Sequence, residues 1–277
     1  MAYRDLLLLL DDSRGAAGRT KAAASFAKKI GAEVEALHLS MHQEIPGYIA
    51  AEMTASVLAL RDETIATETA KAKEAFEAAC KASGITGRFE QVTAAPGELA
   101  DAAVAAARLC DLAVLGQPDE EEGGWIGPWL LESVLLGSGR PALVVPYIGA
   151  HETIGRRVLV AWDGGREAAR AVADSLPILI AAEKVTVLSV NREADRQHPG
   201  TAAISEHLAR HGVKVDHHDI RIDDLSAADY MLNRASDEDA DLLVMGAYAH
   251  SRIRELVLGG MTKGILRHMT VPVFLSH

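Results

Sequence analysis

The spacing most suggestive of chemistry lies between Gly246 and Thr262, which read Gly-Ala-Tyr-Ala-His-Ser-Arg-Ile-Arg-Glu-Leu-Val-Leu-Gly-Gly-Met-Thr. An apolar run ends at Gly246, a loop follows, and Gly259-Gly260 leads into a helix-length segment through Met261 and Thr262. Glycines so placed let backbone N–H groups approach an anion, and a helix N-terminus adds a favourable dipole. His250, Ser251, Arg252 and Arg254 would supply further donors. The same spacing also suits a solvated strand-to-helix connection with a glycine cap, and a short glycine pattern does not choose between the two. Asp11 and Asp163 each close an apolar run and are followed by Asp12-Ser13 and Gly164-Gly165. An Asp there can face a ligand or cap the next helix. The glycine pair beside Asp163 permits closer approach, so Asp163 ranks above Asp11.

Other clusters are weaker. His207 and His211 stand four apart, with His217-His218 downstream. The first spacing suits a metal, but no third ligand has a fixed position, so no metal site is assigned. There is no Gly-x-Ser-x-Gly elbow and no Gly-x-x-x-x-Gly-Lys-Ser/Thr loop, so nucleophilic catalysis has no evident home. Cys80 and Cys110 sit in Ala-rich helical text without Cys-x-x-Cys spacing and read as reduced, partly buried thiols.

Positioning these residues requires elements, and the chain spells the same set twice. Tyr3 to Ser13 matches Arg156 to Gly165, and Cys110-Asp111-Leu112-Ala113-Val114-Leu115-Gly116 matches Ala240-Asp241-Leu242-Leu243-Val244-Met245-Gly246. Each half closes on an apolar run behind a proline, 141–146 and 272–276. Strands are expected at 4–10, 33–39, 88–93, 111–115 and 142–146, then at 157–162, 184–190, 214–221, 241–245 and 272–276. Helices are expected at 14–30, 52–83, 97–109 and 128–138, then at 166–182, 200–211, 225–236 and 260–268. Strands alternating with helices imply right-handed crossovers, and nearly continuous apolar strands imply cover on both faces. The fold class is α/β: two repeated, open, five-stranded parallel sheets of Rossmann-like form. The halves run over 1–147 and 155–277, and the first carries an insertion at 40–87. Residues 41–53 of that insertion, with Met41, Ile45, Pro46 and Tyr48, read as a flap over the first cleft. The helix after them reads as packing on its sheet.

The doubled unit, the acidic turn after each first strand, the Gly-rich segment before the last helix and the ending Leu266-Arg267-His268-Met269-Thr270-Val271-Pro272-Val273 resemble the universal stress protein family in its tandem form. The resemblance implies a regulatory stress-response protein that binds ATP or a related adenine nucleotide, with Mg as a companion ion. It also places Asp11 and Asp163 near the nucleotide and any metal. Nucleotide-binding members carry Gly, two residues, Gly, nine residues, Gly, then Ser or Thr. This chain offers Gly246, Ala249, Gly259 and Gly260, so the second and fourth positions depart, and Thr262 is a candidate stand-in for the hydroxyl. The first half departs further, with Asp119 to Glu122 where phosphate would lie, followed by Trp125 and Trp129. Like charge there opposes a nucleotide. Single-domain relatives pair through the last strand, so the two proline-led strands are expected to cover each other as an intramolecular pseudo-dimer, with higher oligomers open.

Composition narrows the classes. The chain has 277 residues, 49% hydrophobic and 24% charged, enough for packed cores. Its net charge is −11, with −8 on residues 1–150 and −3 on the rest. That acidity argues against a nucleic-acid binder and favours the second half as host for a phosphate. Leu6–Leu10 is too short for a signal-peptide core, and no apolar stretch is long enough to span a membrane, so a cytoplasmic protein is expected. The competing readings are a nucleotide-free protein-interaction module and, with less support, a nucleotide hydrolase.

Overall fold

The computed structural model describes residues 3–41, 55–118, 128–191, 198–247 and 260–277. The first half runs β1 (Asp5–Leu10), α1 (Ala16–Ile30), β2 (Glu33–Met41), α2 (Ala55–Ser83), β3 (Gly87–Ala94), α3 (Pro96–Ala107), β4 (Leu112–Gly116), α4 (Pro128–Ser138) and β5 (Ala142–Val145). The second runs β6 (Arg157–Ala161), α5 (Arg166–Ala181), β7 (Lys184–Val190), α6 (Thr201–Arg210), β8 (Val215–Ile220), α7 (Ala227–Asp237), β9 (Leu242–Gly246), α8 (Met261–His268) and β10 (Val273–Ser276). Every strand expected from the sequence is found, with ends shifted by one or two residues.

The two five-stranded parallel sheets are present, but they are fused into one. The strand order is β3-β2-β1-β4-β5-β10-β9-β6-β7-β8. It is a palindrome of equivalent strands, the arrangement a local twofold axis normal to the sheet produces. Within each half every ladder is parallel, and at the centre β10 pairs antiparallel with β5, Phe274 opposite Leu143. The proline-led strands therefore do cover each other, and neither is an edge. Because the halves run antiparallel, the carboxyl ends of their strands lie at opposite ends of the sheet.

The core divides by face rather than by half. Leu6, Leu8 and Leu10 share one face with Val158, Val160 and Phe274, beneath Phe26 of α1, Phe76 of α2, Ile178 of α5 and Leu208 of α6. Leu7 and Leu9 share the other with Leu159, Val273 and Leu275, beneath Leu99 of α3, Leu131 of α4, Met231 of α7 and Ile265 of α8. The period-two alternation of strand side chains makes this split. The outer strands β3 and β8 are largely exposed, so burial on both faces holds for the inner strands only. Polar clasps cross between the halves: Lys29 Nζ donates to the Ile154 carbonyl at 2.7 Å and Gln117 Nε2 to the Leu266 carbonyl at 2.9 Å. Helix α2 packs on the sheet as expected, whereas the proposed flap at 41–53 falls almost wholly outside the described residues. Among the described residues no helix is long and apolar enough to cross a membrane.

A core shared across the junction should unfold as one unit. Phe274→Ala removes a fully buried ring beside the β5–β10 ladder and should cost about 3–5 kcal/mol in urea melts. Circular dichroism and tryptophan fluorescence should move together in wild type and variant; two separated transitions would show that the halves fold independently.

Candidate functional site

In an open α/β sheet ligands sit at the carboxyl ends of strands where strand order reverses. Each half has one such crevice, between β1 and β4 and between β6 and β9.

In the second half β6 runs into Trp162-Asp163-Gly164-Gly165. Asp163 is half-buried, and its Oδ1 accepts the Gly165 N–H at 2.7 Å, which turns the chain into α5. Gly164 has φ of +73°, and a Cβ there would lie 2.9 Å from the Pro199 carbonyl oxygen, so glycine is required twice over. Pro199 also accepts a 2.8 Å hydrogen bond from Trp162 Nε1, holding the segment after β7 over this turn. At Gly246 a Cβ would meet the Ala168 nitrogen and the Glu167 carbonyl carbon, both at 2.6 Å. This glycine thus admits the first turn of α5 onto the end of β9, a packing role that the anion-approach reading of the sequence did not foresee. The next amide, Ala247 N–H, is taken by the Ser276 carbonyl at 2.8 Å. Helix α8 starts differently. Its N-cap is Gly260, no side chain caps it, and Met261 and the buried Thr262 form its first turn. Of the candidate residues, Asp163, Gly246, Gly260, Met261 and Thr262 are placed; Ala249, His250, Ser251, Arg252 and Gly259 lie outside the described residues.

The first-half crevice is built from residues that sequence reasoning ranked low or missed. Asp11 is 5% exposed and Arg19 only 2%. The Arg19 guanidinium donates Nη2–H to Asp11 Oδ1, and Ser13 Oγ donates to the same oxygen at 2.7 Å. Burial pushes the Asp11 carboxyl up, but Arg19 and Ser13 outweigh it and hold its pKa below the ordinary value. Beside it the buried His38 places Nε2 3.0 Å from Asp12 Oδ1, while Ser40 and Thr69 hydroxyls lie 3.3 and 3.4 Å from its Nδ1. A signal for Arg19 existed: it stands three and four residues before Ala22 and Ala23, on the helix face that enters the core.

The matched motif Asp111/Asp241 is structural. Asp111 accepts the N–H groups of Arg4 and Asp5, and Asp241 those of Arg156 and Arg157, at the strand ends away from the crevices. Cys80 and Cys110 are free and buried; burial raises both thiols, Cys110 to about 11, which disfavours the reactive thiolate. The His207 and His211 rings lie 4.8 Å apart, and among the described residues no group of three or more His, Cys, Asp or Glu could hold a metal.

The sequence model of the universal stress protein family matches residues 155–277. The chain carries a universal stress protein domain. A universal stress protein from Synechocystis is 31% identical over 152 residues, which cover 52% of this chain and 49% of that protein, so the match spans about half of the curated relative. Over the whole chain the fold is that of a universal stress protein from Archaeoglobus fulgidus, with TM-score 0.73, 18% identity, and 99% and 96% of the two chains covered. A putative universal stress protein from Pseudomonas aeruginosa aligns over 99% of this chain and 93% of its own length, at TM-score 0.55 and 14% identity. The first half thus shares the fold of a universal stress protein although the family model matches only the second.

The acid limb of stability should report the Asp11–Arg19 pair. Asp11 has a depressed folded-state pKa, so its contribution is complete above the unfolded carboxylate value, about 3.9, and is lost as pH falls through the folded value. Asp11→Asn should cost about 3–5 kcal/mol at neutral pH, by leaving Arg19 buried without its partner. The gap from wild type in urea melts should shrink below about pH 4; a gap that stays constant to pH 2 would count against the pair.

Proposed function

We propose that this protein is a regulatory, stress-response protein of the cytoplasm that binds an adenine nucleotide in its universal stress protein domain. The observation that carries the reading is the uncapped start of α8. Gly260 supplies no side-chain acceptor, and among the described residues no side chain bonds the first-turn amides around Met261 and Thr262, which suits an anion at the carboxyl end of the sheet. Asp163 adds a carboxylate of which, among the described residues, only Oδ1 is engaged, leaving an oxygen for a phosphate-bound Mg ion or a ribose hydroxyl. The fit is partial. Gly246 is covered by α5 and the Ala247 amide is bonded to β10, so the end of β9 itself is not open to a phosphate. Affinity on this reading is modest. The first-half helix α4, by contrast, opens on Pro128, which has no N–H to offer. No catalytic role is proposed.

The test is calorimetric titration of ATP into wild type and Gly260→Asp. An Asp in the extended conformation of an N-cap would claim the first-turn amides itself and bring a negative charge, without weakening the helix. Wild type should bind about one ATP per chain, and the variant at least tenfold more weakly with an unchanged melting temperature, the loss of one charge-assisted hydrogen bond being worth ~1.5–3 kcal/mol. Equal binding by both would move the site elsewhere; no binding to wild type would favour a nucleotide-free interaction module.

A further inference from the structure

The two crevices treat the same position in opposite ways. Strand registers make Asp163 the equivalent of Asp11 and Gly246 the equivalent of Gly116, since Leu6 faces Leu112 as Val158 faces Leu242. In the second half Gly246 is covered by helix backbone, and among the described residues Asp163 bonds only its own turn. In the first half a Cβ on Gly116 would lie 1.9 Å from Arg19 Nη1 and 3.0 Å from its Cζ. The guanidinium therefore rests against bare strand backbone at the β1/β4 switch point, with Asp11 as its counter-ion. One donor is left over: Arg19 Nε is buried and, among the described residues, has no hydrogen-bond partner.

We propose that the first-half crevice is a binding site for a guanidinium-type cation and that Arg19 is its resident occupant, tethered in cis. Asp11 and Ser13 form the recognising edge, and Gly116 supplies the room. Asp12 is held by His38, so the neighbouring carboxylate is also engaged within the chain. The crevice is in this way closed to external ligands from inside, whatever the charge of the loop at 119–122. The inference does not depend on nucleotide binding by the second half.

Truncating the side chain should turn the tethered occupant into an exchangeable one. Arg19→Ala should lower the melting temperature by roughly 5–10 °C. Millimolar methylguanidinium chloride should restore at least half of that loss, whereas equimolar tetramethylammonium chloride should not. Arg19→Ala/Asp11→Asn should show no rescue, because the recognising carboxylate is gone. Failure of methylguanidinium to raise the melting temperature of a folded Arg19→Ala protein overturns the proposal. A second measurement needs no variant. Under native conditions, peptide-mapped phenylglyoxal labelling of the wild type should modify exposed arginines such as Arg88 and Arg166 and spare Arg19 until the protein unfolds. Labelling of Arg19 as fast as the exposed arginines would equally overturn it. Neither readout uses ATP, so an absence of nucleotide binding leaves this test intact.

Discussion

The antiparallel ladder between β5 and β10 is the contact on which the rest of the architecture depends. Each strand is only four residues long, and three register pairs join them. Both are wholly buried and apolar but for Ser276, so either alone would be an open template for another chain. Joined, they place two parallel sheets back to back along their edges. The hydrophobic faces of the halves become continuous, and helices from both halves roof each face. The free edges then fall to β3 and β8, whose sequences suit exposure. Asp216, His217, His218 and Asp219 line β8, and charged residues there discourage edge-to-edge addition.

Within that frame the end of each fourth strand is a glycine for a packing reason, and the two halves meet the same opening with different material. The second half fills it with the first turn of α5, which begins at Arg166, directly behind the Asp163 turn. The first half begins α1 at Ala16, relatively later, and the guanidinium of Arg19 occupies the space. The second solution is the more expensive, since a charge must be brought out of water and then paired. It also consumes the aspartate that the second half leaves half-open.

The positions of the strands and the doubled unit were legible in the sequence, because apolar runs at fixed spacing report burial directly, and the resemblance to single-domain relatives that pair through the last strand supplied the mutual cover of the proline-led strands. The candidate site was legible only in part. Asp163 and Gly260 stand where their spacing suggested, but the reason for Gly246 was hidden, because a glycine that admits a helix and one that admits a phosphate look alike in a string of letters. Arg19 was passed over for a related reason. A basic residue in an Ala-rich helix that also carries Lys21, Lys28 and Lys29 reads as solvated surface, and its burial follows from tertiary packing that brings Asp11 and Gly116 to it. His38 was likewise hidden among the apolar residues of β2.

The opposed directions of the two sets of strand ends give the molecule poles. One pole carries the closed Asp11–Arg19 crevice, and the other carries the start of α8 and Asp163. The two poles therefore offer different chemistry to solvent, a paired carboxylate at one and a half-buried carboxylate beside a glycine-capped helix start at the other. The chain is therefore a vector rather than a symmetric pair, although its backbone is nearly symmetric. Two such molecules aligned pole to pole would be distinguishable from two aligned head to tail. Any assembly built from them inherits a sense of direction from the unlike turns that follow two equivalent strands, Asp12-Ser13 in one half and Gly164-Gly165 in the other.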